Sequence, residues 1–146
     1  MFKLGDVSNG DEIVSSLRGL ALFSDLGQAE LEQIADPDWE RRFKASERVL
    51  RKGFTGSGVY VILEGEATVR INGEELARLH RGDFFGEVSA LLGSDPAADV
   101  IAETSLRTLE VPGPELERFL LGHPRVMFEV LKTEARRLHE ALAWRG

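Results

Sequence analysis

The pair Asn72-Gly73 constrains the fold of this chain more than any other two residues. A two-residue hairpin loop needs positive φ at both central positions. Asn and Gly reach that conformation cheaply, and the loop forces its flanks into antiparallel pairing. The flanks, Thr68–Ile71 and Glu75–Leu79, have strand character. Upstream, the run VYVILEGEATVRI holds two strands meeting at Glu64-Gly65-Glu66, which reads as a second tight hairpin with Gly65 at the turn. Trp39 and Phe43 bracket Glu40-Arg41-Arg42, Val49-Leu50 follow a polar turn, and Val100–Ala102 and Leu106–Val111 supply the last strands. Two hairpins, evenly spaced turns and no long helix between them predict an antiparallel barrel or jelly roll over residues 37–112.

Helical spacing flanks this block on both sides. Ile13, Val14, Leu17 and Leu20 recur on one face of a first helix that begins near Asp11. Gln28 to Ala35 reads as a second, with Leu31 and Ile34 inward, Gly27 as N-cap and Glu30 favouring the positive helix start. Residues 1–10 are polar and are expected to form a loose arm. Beyond the strands, Pro112-Gly113-Pro114 stops the sheet, a helix runs from Pro114 through Leu121 with Gly122 as cap, and Pro124 opens a final helix reaching about Trp144. Met127, Val130, Leu131, Ala135, Leu138, Ala141 and Leu142 form an apolar stripe on that last helix. The stripe either covers the barrel mouth or pairs with a second copy as a homodimer through residues 124–144. Residues 1–146 are expected to be one domain: helices over 11–36, strands over 37–112, helices over 113–146.

Composition narrows the function. A net charge of −7 without a Lys/Arg run argues against a nucleic-acid partner, because phosphate binding needs a basic surface. The chain has no cysteine, so disulfides and thiolate metal sites are excluded. Its N-terminus lacks a long apolar core, so neither a signal peptide nor a membrane partner is expected, and the default location is the cytoplasm. The three histidines, His80, His123 and His139, have no metal-ligand spacing, and no Ser/His/Asp set or phosphate loop is present. The expectation is a non-enzyme, without catalytic residues or metal.

The segment 84–102, FFGEVSALLGSDPAADVIA, carries the candidate chemistry. Phe84-Phe85 lead into Gly86-Glu87 and a short apolar run, and a loop through Gly93 and Pro96 returns to an apolar strand. A helix starting at a glycine points free N–H groups outward, and a carboxylate one residue on can accept from sugar hydroxyls. Phosphate plus ribose is the ligand such an arrangement suits. The segment resembles the phosphate-binding cassette of cyclic-nucleotide-binding domains, whose pattern is Phe-Gly-Glu, a Leu-rich pair, then Pro-Arg-Ala-Ala-Thr-Val-x-Ala. Phe85-Gly86-Glu87 match, as do Ala97, Ala98, Val100 and Ala102. With LFSDLGQAELEQIA, YVILEGEATV and LEVPGPELERFLLGHP, the resemblance covers roughly residues 20 to 142.

That resemblance implies a mainly β fold: an eight-stranded antiparallel jelly roll (a double-stranded β-helix) with an N-terminal helical bundle and C-terminal helices. Glu87 would hold the ribose, and Gly86 with the amides of Val88, Ser89 and Ala97 would cradle the phosphate. Two positions depart from the family. Pro96 falls where its phosphate-binding arginine stands, and Asp99 falls where it has Thr or Ser. Removing one partner of a buried charge pair costs about 2–5 kcal/mol, roughly 30- to several-thousand-fold in affinity. The expectation is therefore a regulatory or sensor module with weak or lost cAMP and cGMP binding, responding to another small-molecule ligand or to a partner protein. Two alternatives stand beside it. One is a working cAMP or cGMP receptor whose countercharge comes from Arg78, His80 or Arg81; the other is a dimerising interaction module with an empty pocket. Catabolite-activator-type members of the family continue into a helix-turn-helix domain, and no DNA-binding domain is expected here.

Overall fold

A computed structural model describes residues 4–54 and 58–143. Helix α1 spans Leu4–Arg18 and α2 Gln28–Ile34, with a 3-10 turn at Ala21–Phe23 between them. Eight strands follow: β1 Glu40–Phe43, β2 Arg48–Leu50, β3 Gly58–Glu64, β4 Ala67–Ile71, β5 Glu74–Leu79, β6 Phe84–Phe85, β7 Asp99–Ala102 and β8 Leu106–Pro112. Helix α3, Glu87–Leu92, sits between β6 and β7. Helices α4, Leu116–Gly122, and α5, Pro124–Ala143, end the described chain. The expected helix end at Trp144 lies outside the described residues, as do residues 1–3 of the expected arm.

The strands form two four-stranded antiparallel sheets, ordered β1-β8-β3-β6 and β2-β7-β4-β5. This is the jelly roll expected from the strand pattern. The Asn72-Gly73 turn does what its residues require: φ is 53° at Asn72 and 83° at Gly73, and it joins β4 to β5 with Ile71 opposite Glu74. The second expected hairpin is not one. β3 pairs with β6 and β8, while β4 pairs with β5 and β7, so Glu64-Gly65-Glu66 is a corner where the chain leaves one sheet for the other. The chain returns at the neighbouring corner between β7 and β8, and the two are stitched by Glu103 N–H to the Glu66 carbonyl at 2.9 Å and Glu66 N–H to Thr104 Oγ1 at 3.0 Å. Gly65 is obligatory there: φ is +95°, and a Cβ would stand 2.2 Å from the Ser105 carbonyl oxygen.

Both faces of the β1-β8-β3-β6 sheet are covered, which explains the unbroken apolar run in β3. Alternate residues point to opposite faces. Tyr60 and Ile62 face the roll interior with Leu50, Phe85, Val100 and Leu106, while Val59, Val61 and Leu63 face the helices with Ile13, Leu17 and Phe23. Each such Leu, Ile or Val contributes about 1.5–3 kcal/mol when fully buried. Arg107 on β8, only 7% exposed at its side chain, bridges Glu40, Glu64 and the Ser16 hydroxyl, tying α1 to this sheet.

One further expectation changes. Residues 4–10 are helical rather than a loose arm. The buried turn with Ile13, Val14 and Leu17 nucleates α1, and extension toward the N-terminus then adds one hydrogen bond per residue fixed. The apolar stripe of α5 covers the core only through Val130. Val126 and half-buried Val130 pack on the core, whereas Met127, Phe128, Leu131, Leu138 and Leu142 are exposed.

Candidate ligand-binding site

The site begins with two glycines brought together by the fold. Gly86 has φ +87°, and a Cβ on it would lie 2.5 Å from the Gly58 carbonyl oxygen. A Cβ on Gly58 would lie 2.2 Å from the Val111 carbonyl oxygen. The turn after β6 therefore rests directly on the backbone of β3, which rests on β8. This close approach aims the start of α3. Gly86, Glu87, Val88 and Ser89 form that start, with Ala90 N–H bonded to the Gly86 carbonyl at 3.2 Å. The Ser89 hydroxyl turns back to that same carbonyl at 3.3 Å. Gly58 appears in the sequence only as loop punctuation; its role is visible once β8 is placed behind it.

Glu87 is 6% exposed. Its Oε1 accepts from Arg137 Nη1 at 2.7 Å, and the same nitrogen donates to Glu134 Oε1 at 3.1 Å. Arg137 Nη2 donates to the Phe84 carbonyl at 2.8 Å, and its guanidinium lies 4.6 Å from the centre of the Phe84 ring. One arginine of α5 thus holds both the carboxylate at the head of α3 and the strand that delivers it. Burial pushes the Glu87 carboxyl up to about 7; Arg137 and a backbone hydrogen bond pull it down, and the neighbouring Glu134 pushes it up again. Below this cluster is an apolar cavity of about 30 Å³ lined by Phe23, Leu91, Val126 and Val130 among others, with Glu87 the one charged wall residue among the described residues. Sequence reading missed Arg137 and Glu134, fifty and forty-seven positions from Glu87, because nothing local marks them.

The far end of the cassette is built differently. Pro96 is buried, and its carbonyl accepts from Gly53 N–H at 3.0 Å. Asp99 Oδ1 accepts from Lys52 N–H at 2.7 Å, and Oδ2 lies 4.0 Å from Arg48 Nε. Both departures from the family pattern are engaged with the segment after β2. Ala97 is exposed on the return loop. The three candidate countercharges point elsewhere. Arg78 pairs with Glu75 and Glu66, His80 with Glu66, and Arg81 donates to the Ser16 carbonyl at the end of α1. Between the sheets, Tyr60 stacks on Phe85 with centroids 5.1 Å apart, and Phe43 meets Tyr60 edge-on.

His123 bonds Glu30 of α2, and His139 is exposed on α5. Among the described residues no group of three or more His, Asp or Glu converges as a metal site, and no helix is long and apolar enough to cross a membrane.

A glycine turn, a buried glutamate at a short helix, a return strand and a jelly roll together define a cyclic-nucleotide-binding fold. The cyclic nucleotide-binding domain family matches residues 40–123, and this chain belongs to that family. A cGMP-dependent protein kinase of Plasmodium berghei is 30% identical over 128 residues, 87% of this chain but 15% of the kinase. The regulatory subunit of a cAMP-independent protein kinase A from Trypanosoma brucei superposes with a TM-score of 0.72 at 26% identity, over 91% of this chain and 49% of that one. The Thermus thermophilus catabolite activator protein gives 0.70 at 24% identity, over 82% of this chain and 59% of that one. The chain is thus similar to regulatory domains and spans a small part of the kinase it matches.

Proposed function

We propose that this chain is a non-catalytic regulatory module that keeps the turn for a ribose but lacks the countercharge for a cyclic phosphate. cAMP and cGMP then bind weakly or not at all, and the module answers to another small ligand or to a partner protein. The observation that carries this is the stitching of Pro96 and Asp99 to the segment after β2, with Arg78, His80 and Arg81 all engaged away from the cassette. A cyclic phosphate seated here would be an underpaired buried charge, and such charges are costly. The Trypanosoma brucei relative, described as cAMP-independent, supports the idea that this fold can regulate without cAMP. Isothermal titration with cAMP and cGMP is expected to give no saturable heat below millimolar ligand. A micromolar dissociation constant would overturn the reading.

A second reading concerns the partner. Phe128, Leu131, Ala135, Leu138 and Leu142 repeat at heptad spacing on the outer face of α5, with Leu131 62% and Leu138 61% exposed. A helix of 20 residues, about 30 Å long, offers a self-complementary seam to a second copy. A dimer through α5 is expected to dissociate on dilution in sizing chromatography and to be lost in Leu131→Ser with Leu138→Ser. A mass that stays monomeric at high concentration rules it out.

A further inference from the structure

The contact between α5 and the cassette has an unbalanced charge. Two carboxylates, Glu87 and Glu134, share one guanidinium nitrogen of Arg137, at 2.7 and 3.1 Å. Arg137 spends its other terminal nitrogen on the Phe84 carbonyl and its face on the Phe84 ring. Among the described residues, no other cation meets Glu87 from the elements packed around it. The 3-10 turn presents Leu22 and Phe23, α4 presents Leu120, and β3 and β8 present Val61 and Val111. With both acids ionised, the cluster carries one net negative charge, part of it in a nearly dry wall. Two carboxylates this close relieve the charge by sharing a proton: Glu87, as the acid, donates to Glu134, and Arg137 keeps its bonds to both elements.

We infer that Glu87, Glu134 and Arg137 form a proton-closed latch, in which uptake of one proton fastens α5 onto the cassette and its loss lets the C-terminal half of α5 lift. The device belongs to the ligand-free domain and stands whether or not a nucleotide binds. The sign follows from linkage. Glu87 binds its proton more tightly latched, at about 7, than released into water, near the ordinary carboxylate value of 4.5. The latched state is therefore favoured by acid and weakens as pH rises toward and through 7. Between pH 6 and pH 8 the ratio of latched to released α5 should fall about tenfold.

Hydrogen exchange on the intact chain tests this, with each amide corrected for its intrinsic pH dependence and α2 as internal reference. Residues 131–143 should lose about tenfold in protection from pH 6 to pH 8 relative to residues 28–34. In Glu87→Gln, which keeps the shape but cannot titrate, the ratio should stay level. A level ratio in the unmodified chain, or an equal fall in Glu87→Gln, overturns the latch. Carboxyl carbon NMR on the unmodified chain provides a readout independent of any variant. Glu87 should titrate well above the ordinary carboxylate range, and Glu134→Gln should bring its midpoint down. A Glu87 midpoint in the ordinary range refutes the inference. Neither measurement involves a nucleotide, so its failure is separable from failure of the blunted-receptor reading.

Discussion

The two ends of the cassette belong to one continuous segment, residues 84–102, yet they serve different purposes. At the leading end, Gly86 and Gly58 bring backbones into direct contact, and Glu87 is buried against Arg137 of α5. At the trailing end, Pro96 and Asp99 bond the backbone of the segment after β2. The leading end is thus coupled to a helix that could transmit a change, and the trailing end is fastened to a neighbouring loop. The two ends therefore have separate physical origins. The turn is a property of backbone geometry fixed by two glycines, whereas the phosphate countercharge depends on one side chain. A single substitution can remove the second without disturbing the first.

The largest expected effect comes from giving the trailing end its missing charge. Pro96→Arg with Asp99→Thr supplies a cation and a hydroxyl where the family has them. It should raise cAMP affinity by about 2–5 kcal/mol, roughly 30- to several-thousand-fold, measured by calorimetry. If the double variant binds no better than its parent, the site is closed by something other than charge. The aromatic packing of Phe43, Tyr60 and Phe85 inside the roll is then the first suspect.

The leading end should respond to volume rather than charge. Gly58→Ala places a methyl 2.2 Å from the Val111 carbonyl oxygen and 3.0 Å from the Gly113 nitrogen, both backbone atoms that cannot rotate away. Overpacking of this kind costs about 1–3 kcal/mol, and a denaturant melt should show it. A melt unchanged within error would mean that the β3–β8 contact is looser than the geometry requires, and that the turn is not held from behind.

How much of this was legible beforehand depended on distance along the chain. Asn72-Gly73 announced its hairpin because both residues that set the turn are adjacent. Phe85-Gly86-Glu87 announced the cassette for the same reason. Glu64-Gly65-Glu66 misled because two strands joined by a short turn look alike whether they pair or part. The partners that show the chain turning a corner, such as the Ser105 carbonyl behind Gly65, lie about forty residues on. The stripe on α5 was read correctly as apolar, but its direction was set by Val126 and Arg137 docking on the opposite side of the helix. Arg137 itself is one of an adjacent arginine pair with no local mark. Its partner, Glu87, is fifty residues away.

The smallest effect separates the two roles Asp99 could play. If its carboxylate mainly fastens the loop after β2, Asp99→Ala removes one acceptor from Lys52 N–H and a distant partner from Arg48. The amide is near water, which replaces the lost bond, so the cost should be about 1 kcal/mol. For a domain of this size that is roughly 3 °C in melting temperature. If Asp99 instead repels a phosphate strongly, the same variant should gain cAMP affinity without any arginine at position 96. The fastening role predicts a small loss of stability and a nucleotide response still missing, because Pro96 continues to supply no charge. Melting and titration on this one variant therefore distinguish a loop anchor from an electrostatic gate: a stable variant that binds cAMP would show that the trailing end had been held shut by Asp99 alone.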